Sequence, residues 1–215
     1  MKSLYIIGAG GFGREVAWLV ERINAVNPTW TLEGFIDDNP DVIGTIVGGY
    51  PVVGGVDALG ALDHEAWVIC AIGAAKVRKV VIEKATAFQN VKFATLIDPS
   101  VLMSDRVTIG EGSIICAGNI ITVDIKLGKH CIVNLDCTIG HDAILEDYVT
   151  VYPSVNISGI THIGEGSELG TGMQIIQGKT IGNEAIVGAG AVVVKDIPAR
   201  CVAVGSPAKP IRFFD

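Results

Sequence analysis

The chain has 215 residues, 49% of them apolar, with a formal net charge of −7 at neutral pH. This composition predicts a globular protein, and the length allows one large domain or two small ones. No long run of lysine or arginine offers an electrostatic footprint for nucleic acid or for an anionic membrane surface. No apolar run reaches the roughly 18 residues that cross a membrane. We therefore expect neither nucleic acid binding nor membrane insertion.

The cysteines indicate a reducing compartment. The sequence has five cysteines, no two of which have CxxC spacing, and no segment has the pattern of a signal peptide. An odd number of cysteines without such a signal is typical of reduced thiols in the cytoplasm. We therefore expect a cytoplasmic protein with reduced thiols at Cys70, Cys116, Cys131, Cys137 and Cys201.

Residues 1–96 alternate between strand and helix patterns. The stretch "SLYIIGAGGFGREVAWLVERI" contains an apolar strand, a glycine turn and an amphipathic helix with Val16, Leu19, Val20 and Ile23 along one stripe. Two further buried strands end in polar or glycine turns, and another helix follows, in "TLEGFIDDN", "WVICAIG" and "KVRKVVIEKATAF". The pattern predicts a small parallel α/β domain that resembles half of a Rossmann fold.

From residue 97 a period of six takes over. Every sixth residue from Ile109 to Val193 is Ile, Leu or Val, and the residue four positions later is mostly small, as at Ser113 and Ala143. One large and one small inward residue per six describes a short flat face with a tight corner, and three faces close one coil of a parallel β-helix. Glycine often follows the aliphatic residue, so we expect glycines at the turns. The pattern predicts a β-helix domain over residues 97–215, ending in the tail "DIPARCVAVGSPAKPIRFFD".

The glycine loop of the first domain matches a dinucleotide-binding pattern. Gly8, Gly10 and Gly13 form G-x-G-x-x-G between a strand and a helix, and Asp37 and Asp38 end the next strand. A domain that ends near residue 96 has room for one mononucleotide-binding half, whereas NAD requires two. A glycine turn that only lets the helix and strand pack closely is the alternative, and an NAD-binding oxidoreductase is another.

A UDP-type nucleotide needs only one such half. The backbone amides near Gly10, Gly11 and Phe12 would receive phosphate, because a helix begins there. Asp37 or Asp38 would accept hydrogen bonds from uracil or ribose.

His141 and Asp142 are adjacent in the stretch "TIGHDAILEDYVTVYPSVNISG", which is otherwise rich in apolar and small residues. His141 comes two residues after Ile139, so its side chain is predicted to project from an edge of the coil. An imidazole there can take the proton of an attacking amine or hydroxyl, and a carboxylate can fix its tautomer. Short polar pairs are also common at turns, so the residues alone leave open a solvated pair without a catalytic role.

The other β-helix histidines raise the possibility of a metal site. Hexapeptide proteins of the γ-carbonic anhydrase class bind zinc through three histidines on one edge. The steps from His130 to His141 and from His141 to His162 are not whole coils of three hexapeptides, so these side chains occupy different phases of the repeat. This spacing disfavours a three-histidine zinc site, and we expect no metal.

The whole chain resembles a known family. The hexapeptide run, the ending "VGSPAKPIR" and the module "YIIGAGGFGREV…FIDD…AIG" together are similar to sugar acyltransferases of the sialic acid O-acetyltransferase and bacillosamine N-acetyltransferase type. The resemblance implies a left-handed β-helix, a cytoplasmic homotrimer, and acetyl-CoA bound between neighbouring β-helices. It also implies that a nucleotide sugar binds partly through the N-terminal domain.

The resemblance implies roles for particular residues. His141 would be the catalytic base and Asp142 its orienting partner. The nucleotide-sugar site would contain Gly10, Gly11, Phe12, Asp37, Asp38 and Gly73. Acetyl-CoA would contact Thr150, Gly170, Thr171, Gly188, Ala189 and Lys209, with the lysine near its phosphates. Family members often carry histidine at the positions of Phe12 and Thr150, and asparagines at those of Ala74 and Ala75.

We therefore predict an acetyltransferase that uses acetyl-CoA to modify the amine or hydroxyl of a nucleotide-linked amino sugar. His141 would act as base in a direct attack on the thioester, with a backbone amide as the oxyanion donor. A γ-carbonic-anhydrase-like lyase and a non-catalytic nucleotide-sugar-binding protein are the alternatives. The sequence does not choose the sugar.

Overall fold

The computed structural model describes residues 1–214. The chain divides into two compact units, of which the first spans Met1–Pro99 and the second begins at Ser100.

The first unit is built around a six-stranded sheet. Its elements are β1 (Lys2–Ile7), α1 (Gly11–Val26), β2 (Trp30–Ile36), β3 (Ile46–Val47), β4 (Tyr50–Gly54), a 3₁₀ helix (Val56–Ala61), β5 (Ala66–Cys70), α2 (Ala75–Thr86), β6 (Val91–Phe93) and β7 (Leu96–Ile97). The sheet has the order β3-β4-β2-β1-β5-β6, and every pair except β3–β4 is parallel. The chain leaves β1 toward β2 and later returns to β5 on the other side of β1. The strand order therefore reverses at the C-terminal ends of β1 and β5, the place where open α/β sheets bind ligands.

A close approach of helix and strand explains one glycine of the first turn. Val16, Leu19 and Val20 of α1 are buried, as the apolar stripe predicts, and Ile23 is half-buried. A Cβ on Gly13 would lie 2.0 Å from the carbonyl oxygen of Gly8. Because no side chain fits there, Gly13 lets α1 start directly against the loop that follows β1.

The second unit is a parallel β-helix of two-residue strands in three sheets. The first sheet contains β8 (Leu102–Met103), β11 (Ile120–Ile121), β14 (Thr138–Ile139), β17 (Asn156–Ile157), β20 (Gln174–Ile175) and β23 (Val192–Val193). The second contains β9 (Thr108–Ile109), β12 (Lys126–Leu127), β15 (Ile144–Leu145), β18 (His162–Ile163) and β21 (Thr180–Ile181). Within this unit the third contains β10 (Ile114–Ile115), β13 (Ile132–Val133), β16 (Thr150–Val151), β19 (Glu168–Leu169), β22 (Ile186–Val187), β24 (Cys201–Val204) and the antiparallel β25 (Lys209–Phe213).

The core of the β-helix follows the period of six. Of the fifteen aliphatic positions between Ile109 and Val193, all but Ile109 are buried. The small residues four positions later, such as Ser113, Ala143 and Ala191, are fully buried as well. Partners across neighbouring strands, such as Thr138 and Asn156, lie three hexapeptides apart in the sequence, which is one coil. The first strand of the first sheet starts at Leu102, before the aliphatic series begins.

The corners differ from the prediction about glycine. Every sixth residue from Gly112 to Gly190 has a positive φ, and eight of these fourteen corner residues are not glycine. The glycines that directly follow the aliphatic residues do not have a positive φ. They lie instead against the next coil, since a Cβ on Gly140 would be 2.6 Å from the backbone nitrogen of Gly159. The expectation that these glycines make the turn was wrong, because close packing of coils requires them and the turn comes two residues later.

Candidate active site

The left-handed corner residues form three edges along the β-helix. The His141 edge has corner residues Asp124, Asp142, Ile160 and Gly178. The Thr171 edge has Gly118, Asp136, Ser154, Gly172 and Gly190, and the His130 edge has Gly112, His130, Tyr148, Gly166 and Glu184. Neighbouring edges are separated by six residues of chain, or up to about 20 Å at about 3.3 Å per residue.

The left-handed conformation of Asp142 explains how two consecutive side chains face the same side. Asp142 has φ 59°, and its Oδ2 lies 2.8 Å from Nδ1 of His141. A carboxylate only accepts hydrogen bonds, so Nδ1 carries the proton and donates it. Nε2 of the neutral ring is therefore the nitrogen that can accept a proton. The two side chains are 49% and 57% exposed, so a ligand can reach them.

The coil that follows holds the ring of His141 in place. The amide of Ile160 donates a hydrogen bond of 2.8 Å to the carbonyl oxygen of His141. A Cβ on Gly159 would lie 2.6 Å from Nε2 of His141. The imidazole therefore packs against the bare backbone of Gly159, a residue that the sequence did not single out.

Most of the residues expected to bind acetyl-CoA share the Thr171 edge. Thr171 and Ala189 directly precede corner glycines of this edge, and both are exposed. The two coils are in direct contact there, because a Cβ on Gly170 would lie 2.6 Å from the nitrogen of Ala189. Gly188 packs in turn on Val204, which is paired with Lys209 of β25.

Thr150 does not fit the expectation for a ligand contact. It lies in β16, and only 1% of it is exposed. Its hydroxyl is therefore inside the protein, and the expected contact with acetyl-CoA is not supported. Thr150 directly precedes the inward-facing Val151, so it alternates to the outer face of the strand, yet its side chain is buried there.

The residues expected to bind the nucleotide all lie at the C-terminal edge of the first sheet. Gly10 is the N-cap of α1, and Gly10, Gly11 and Phe12 begin the helix at the end of β1. A Cβ on Gly10 would have no neighbour within 4 Å, so the loop is open on this side. Gly73 lies in the loop after β5, the strand adjacent to β1. These loops meet where the strand order reverses.

Asp37 and Asp38 also hold the loops together. Asp37 accepts hydrogen bonds from the amides of Ala9, at 2.8 Å, and Asn39, at 2.9 Å. Asp38 accepts one from the amide of Val56 at 2.7 Å. Each carboxylate has about four lone-pair sites, so both retain capacity for a ligand.

Arg78 was not identified from the sequence. It is 1% exposed and donates hydrogen bonds to the carbonyl oxygens of Ile72, at 2.6 Å, and Gly73, at 2.9 Å. The guanidinium therefore fixes the loop that carries Gly73. The available signal was its position on the buried stripe of α2, with Ala75, Ile82 and Ala85.

The remaining histidines have other surroundings. The His130 ring stacks on Tyr148 with 5.2 Å between centroids, and His162 Nε2 lies 2.7 Å from Glu146 Oε1. This hydrogen bond lowers the pKa of Glu146. Within residues 1–214, no group of three or more His, Cys, Asp or Glu side chains could hold a metal ion.

All five cysteines are buried, and none forms a disulfide within residues 1–214. Burial raises the pKa of Cys70 to about 12 and that of Cys137 to about 11, so neither forms a thiolate near neutral pH. No helix in the described part of the chain is long and apolar enough to cross a membrane.

Comparison with known proteins extends over the whole chain. Residues 3–85 match the family model of the PglD N-terminal domain. GDP-perosamine N-acetyltransferase from Escherichia coli O157:H7 is 30% identical over 218 residues, covering 98% of this chain and 97% of that protein. Other curated relatives match over less of their length, and the chain covers 53% of an acetyltransferase-like protein from Schizosaccharomyces pombe.

Two solved structures have the same fold. The acetyltransferase domain of PglB from Neisseria gonorrhoeae, in complex with acetyl coenzyme A, has a TM-score of 0.88 and 34% identity, covering 98% of this chain and 99% of that chain. A histidine-to-asparagine mutant of perosamine N-acetyltransferase from Caulobacter crescentus, in complex with CoA and GDP-perosamine, has a TM-score of 0.89 and 32% identity, covering 99% and 98%.

These relatives confirm the predicted fold class, a small parallel α/β domain followed by a left-handed parallel β-helix, and the predicted acyltransferase class of enzyme. The resemblance stated from the sequence is confirmed as well. The chain belongs to the hexapeptide-repeat sugar acyltransferases that carry a PglD-type N-terminal domain.

Proposed function

We propose that this protein transfers an acetyl group from acetyl-CoA to the amine of a nucleotide-linked amino sugar. The observation that carries the proposal is the exposed pair of His141 and Asp142, in which Nδ1 is engaged and Nε2 is available. The relatives named above support the donor, since one is bound to acetyl coenzyme A and another to CoA and GDP-perosamine. The two perosamine enzymes among the relatives support an amine acceptor, because both are described as N-acetyltransferases.

In this mechanism Nε2 of His141 accepts a proton from the sugar amine while the amine nitrogen attacks the thioester carbonyl. A bond forms between nitrogen and the carbonyl carbon, and the carbon–sulfur bond breaks. The proton then passes from His141 to the leaving thiolate, which gives the amide and CoA. Asp142 holds the ring and stabilises the imidazolium, and a backbone amide donates to the oxyanion. The burial of Cys70 and Cys137 supports direct attack rather than an acyl-thiol intermediate.

The nucleotide would bind at the C-terminal edge of the first sheet. Phosphate oxygens would accept hydrogen bonds from amides near Gly10, Gly11 and Phe12 at the start of α1. Asp37 and Asp38 would accept from the base or ribose, and Gly73 would border the same loop cluster. The sequence pattern favoured UDP, whereas the relatives act on or bind a GDP-linked sugar, so both nucleotides belong in the test.

A second copy of the chain would complete the site. Within one chain His141 lies on one edge and Gly170, Thr171, Gly188, Ala189 and Lys209 lie on or beyond another. We propose a homotrimer in which the His141 edge of one protomer faces the Thr171 edge of the next. Acetyl-CoA would bind between these two edges, as expected for a site whose second wall comes from a neighbour.

The test is thiol release from acetyl-CoA with a panel of UDP- and GDP-linked amino sugars. We expect turnover by the wild type and a loss of at least about 100-fold in His141→Ala, as for removal of a positioned general base. His162→Ala is the matched control, because His162 also pairs with a carboxylate but lies on a flat face. Undiminished turnover in His141→Ala would contradict the proposed base. Absence of turnover by the wild type on every sugar would contradict the proposed acceptor.

A further inference from the structure

One corner residue beside the dyad is unusual. Ile160 has φ 57°, and 53% of it is exposed. For a β-branched residue this conformation is a strained outlier, because Cβ crowds the following carbonyl oxygen. The other corners of the His141 edge carry Asp124, Asp142 and Gly178, whose residue types tolerate it. Ile160 thus combines backbone strain with exposure of an apolar side chain.

The position of Ile160 places it next to the reacting atoms. It directly follows Gly159, whose Cα supports the face of the His141 ring near Nε2. The amide of Ile160 donates a hydrogen bond of 2.8 Å to the carbonyl oxygen of His141. Ile160 is therefore held directly beside the residue that contacts the His141 ring at Nε2.

A second exposed apolar residue follows the neighbouring corner of the same edge. Ile144 comes two residues after Asp142 and is 38% exposed. It is the register partner of His162, which comes two residues after Ile160. The part of the His141 edge that contains the corners Asp142 and Ile160 therefore presents two isoleucines to solvent. Such a surface favours a methyl group and disfavours a hydroxyl, which would lose hydrogen bonds to water.

We propose that Ile160 is a specificity-determining residue, whose side chain contacts a methyl group carried next to the reacting centre. This inference rests on the proposed function and deepens it. The methyl group is either that of the acetyl donor or one on the acceptor sugar, and the two sources are distinguished by experiment. The strain at residue 160 persists because a residue that suits the corner better, such as asparagine or glycine, lacks the apolar contact.

The experiment compares wild type with Ile160→Asn and Ile160→Ala. We expect Ile160→Asn to melt at the same temperature as the wild type or higher, because the strain is relieved. We expect its kcat/KM to fall about tenfold or more, the range for loss of one apolar contact in a pocket. Glu184→Asn is the matched control, since Glu184 is an exposed corner residue with φ 56° on the His130 edge. Its kcat/KM is expected to stay unchanged.

The source of the methyl group follows from two ratios measured with Ile160→Ala. If the side chain contacts the donor, the preference for acetyl-CoA over propionyl-CoA falls. If it contacts the acceptor, the preference for sugars with a methyl over sugars with a hydroxymethyl group falls. Unchanged ratios in an active enzyme would overturn the inference while leaving the proposed function intact. Dissociation of Ile160→Asn into monomers in light scattering would overturn it too, because the side chain would then be an interface residue. A wild type without any transferase activity would contradict both this inference and the proposed function.

Discussion

The catalytic pair depends on backbone features that surround it. Adjacency and the resemblance predicted His141 and Asp142 as partners, and the hydrogen bond between them has the expected length for a charged acceptor. The sequence did not indicate which nitrogen stays available, because this depends on the left-handed φ of Asp142. Nor did it identify Gly159, which belongs to the following coil and reaches His141 only through the stacking of coils.

Replacing Gly159 by alanine tests this support. Its φ is not in the left-handed region, so the backbone tolerates a side chain, but the new methyl would lie 2.6 Å from Nε2 of His141. The ring must move, because such a distance is far below van der Waals contact. We expect kcat to fall about 10- to 100-fold with a small change in melting temperature, since a displaced base loses its geometry but not its fold.

The neighbouring exposed Ser158 provides the control for that experiment. Ser158→Ala changes the adjacent residue of the same coil and is expected to leave kcat within about twofold of the wild type, as for a surface site. A Gly159→Ala enzyme as active as the wild type would show that the ring position is not critical.

At the scale of elements, the periodicity of the sequence was sufficient to predict the strands of the three sheets but not the residues that form the corners. The aliphatic series predicted which residues stack inward, because a coil of three faces has only one way to bury them. The same series placed the glycines at the turns, and this was wrong. A glycine required by close packing of a neighbouring coil and a glycine required by a positive φ look alike in a sequence. The structure distinguishes the two kinds, since Gly140 has no positive φ and a Cβ there would lie 2.6 Å from the nitrogen of Gly159.

Neighbouring coils are also joined by the pair of Glu146 and His162. The hydrogen bond from His162, together with the amide of Glu165, lowers the pKa of Glu146 below its usual value of about 4.3. The pair therefore contributes stability above that pH, and the contribution is lost as the pH falls through the lowered pKa. We expect Glu146→Gln to melt a few degrees or less below the wild type at pH 7, with the difference shrinking as the pH falls from the ordinary glutamate pKa of about 4.3 through the lowered pKa of Glu146.

The melting curves of Glu184→Gln provide the comparison. Glu184 is exposed at a corner of the His130 edge, so its replacement is expected to cause the same small shift at every pH. A difference between Glu146→Gln and wild type that does not shrink as the pH falls below about 4.3 would assign the effect to packing rather than to the ionised carboxylate.

At the scale of the molecule, the register of the repeat separates the candidate residues. The step from His141 to Thr171 is five hexapeptides, whereas one coil contains three, so arithmetic on the sequence already places them on different edges. The sequence could not reveal that Thr150, despite its outward phase, is buried. Nor does any pattern within one chain specify which edge of a second copy faces His141.

Mixing two inactive variants tests the shared site. His141→Ala removes the base, and Ala189→Trp fills the Thr171 edge with a side chain that projects from an exposed corner. Suppose that each site takes one edge from each of two protomers. When equal amounts of the two variants are refolded together, each edge of a site is intact with a probability of one half, so both edges are intact with a probability of one quarter. We expect recovery of about a quarter of wild-type activity.

The variants mixed without refolding are the control, and they are expected to remain inactive because the trimers do not exchange. Light scattering of the wild type should give the mass of three chains. A co-refolded mixture without activity, from protein that is trimeric, would mean that each protomer supplies both edges to its own site. Acetyl-CoA would then have to extend across a face of one β-helix, about 20 Å, from Ala189 to His141.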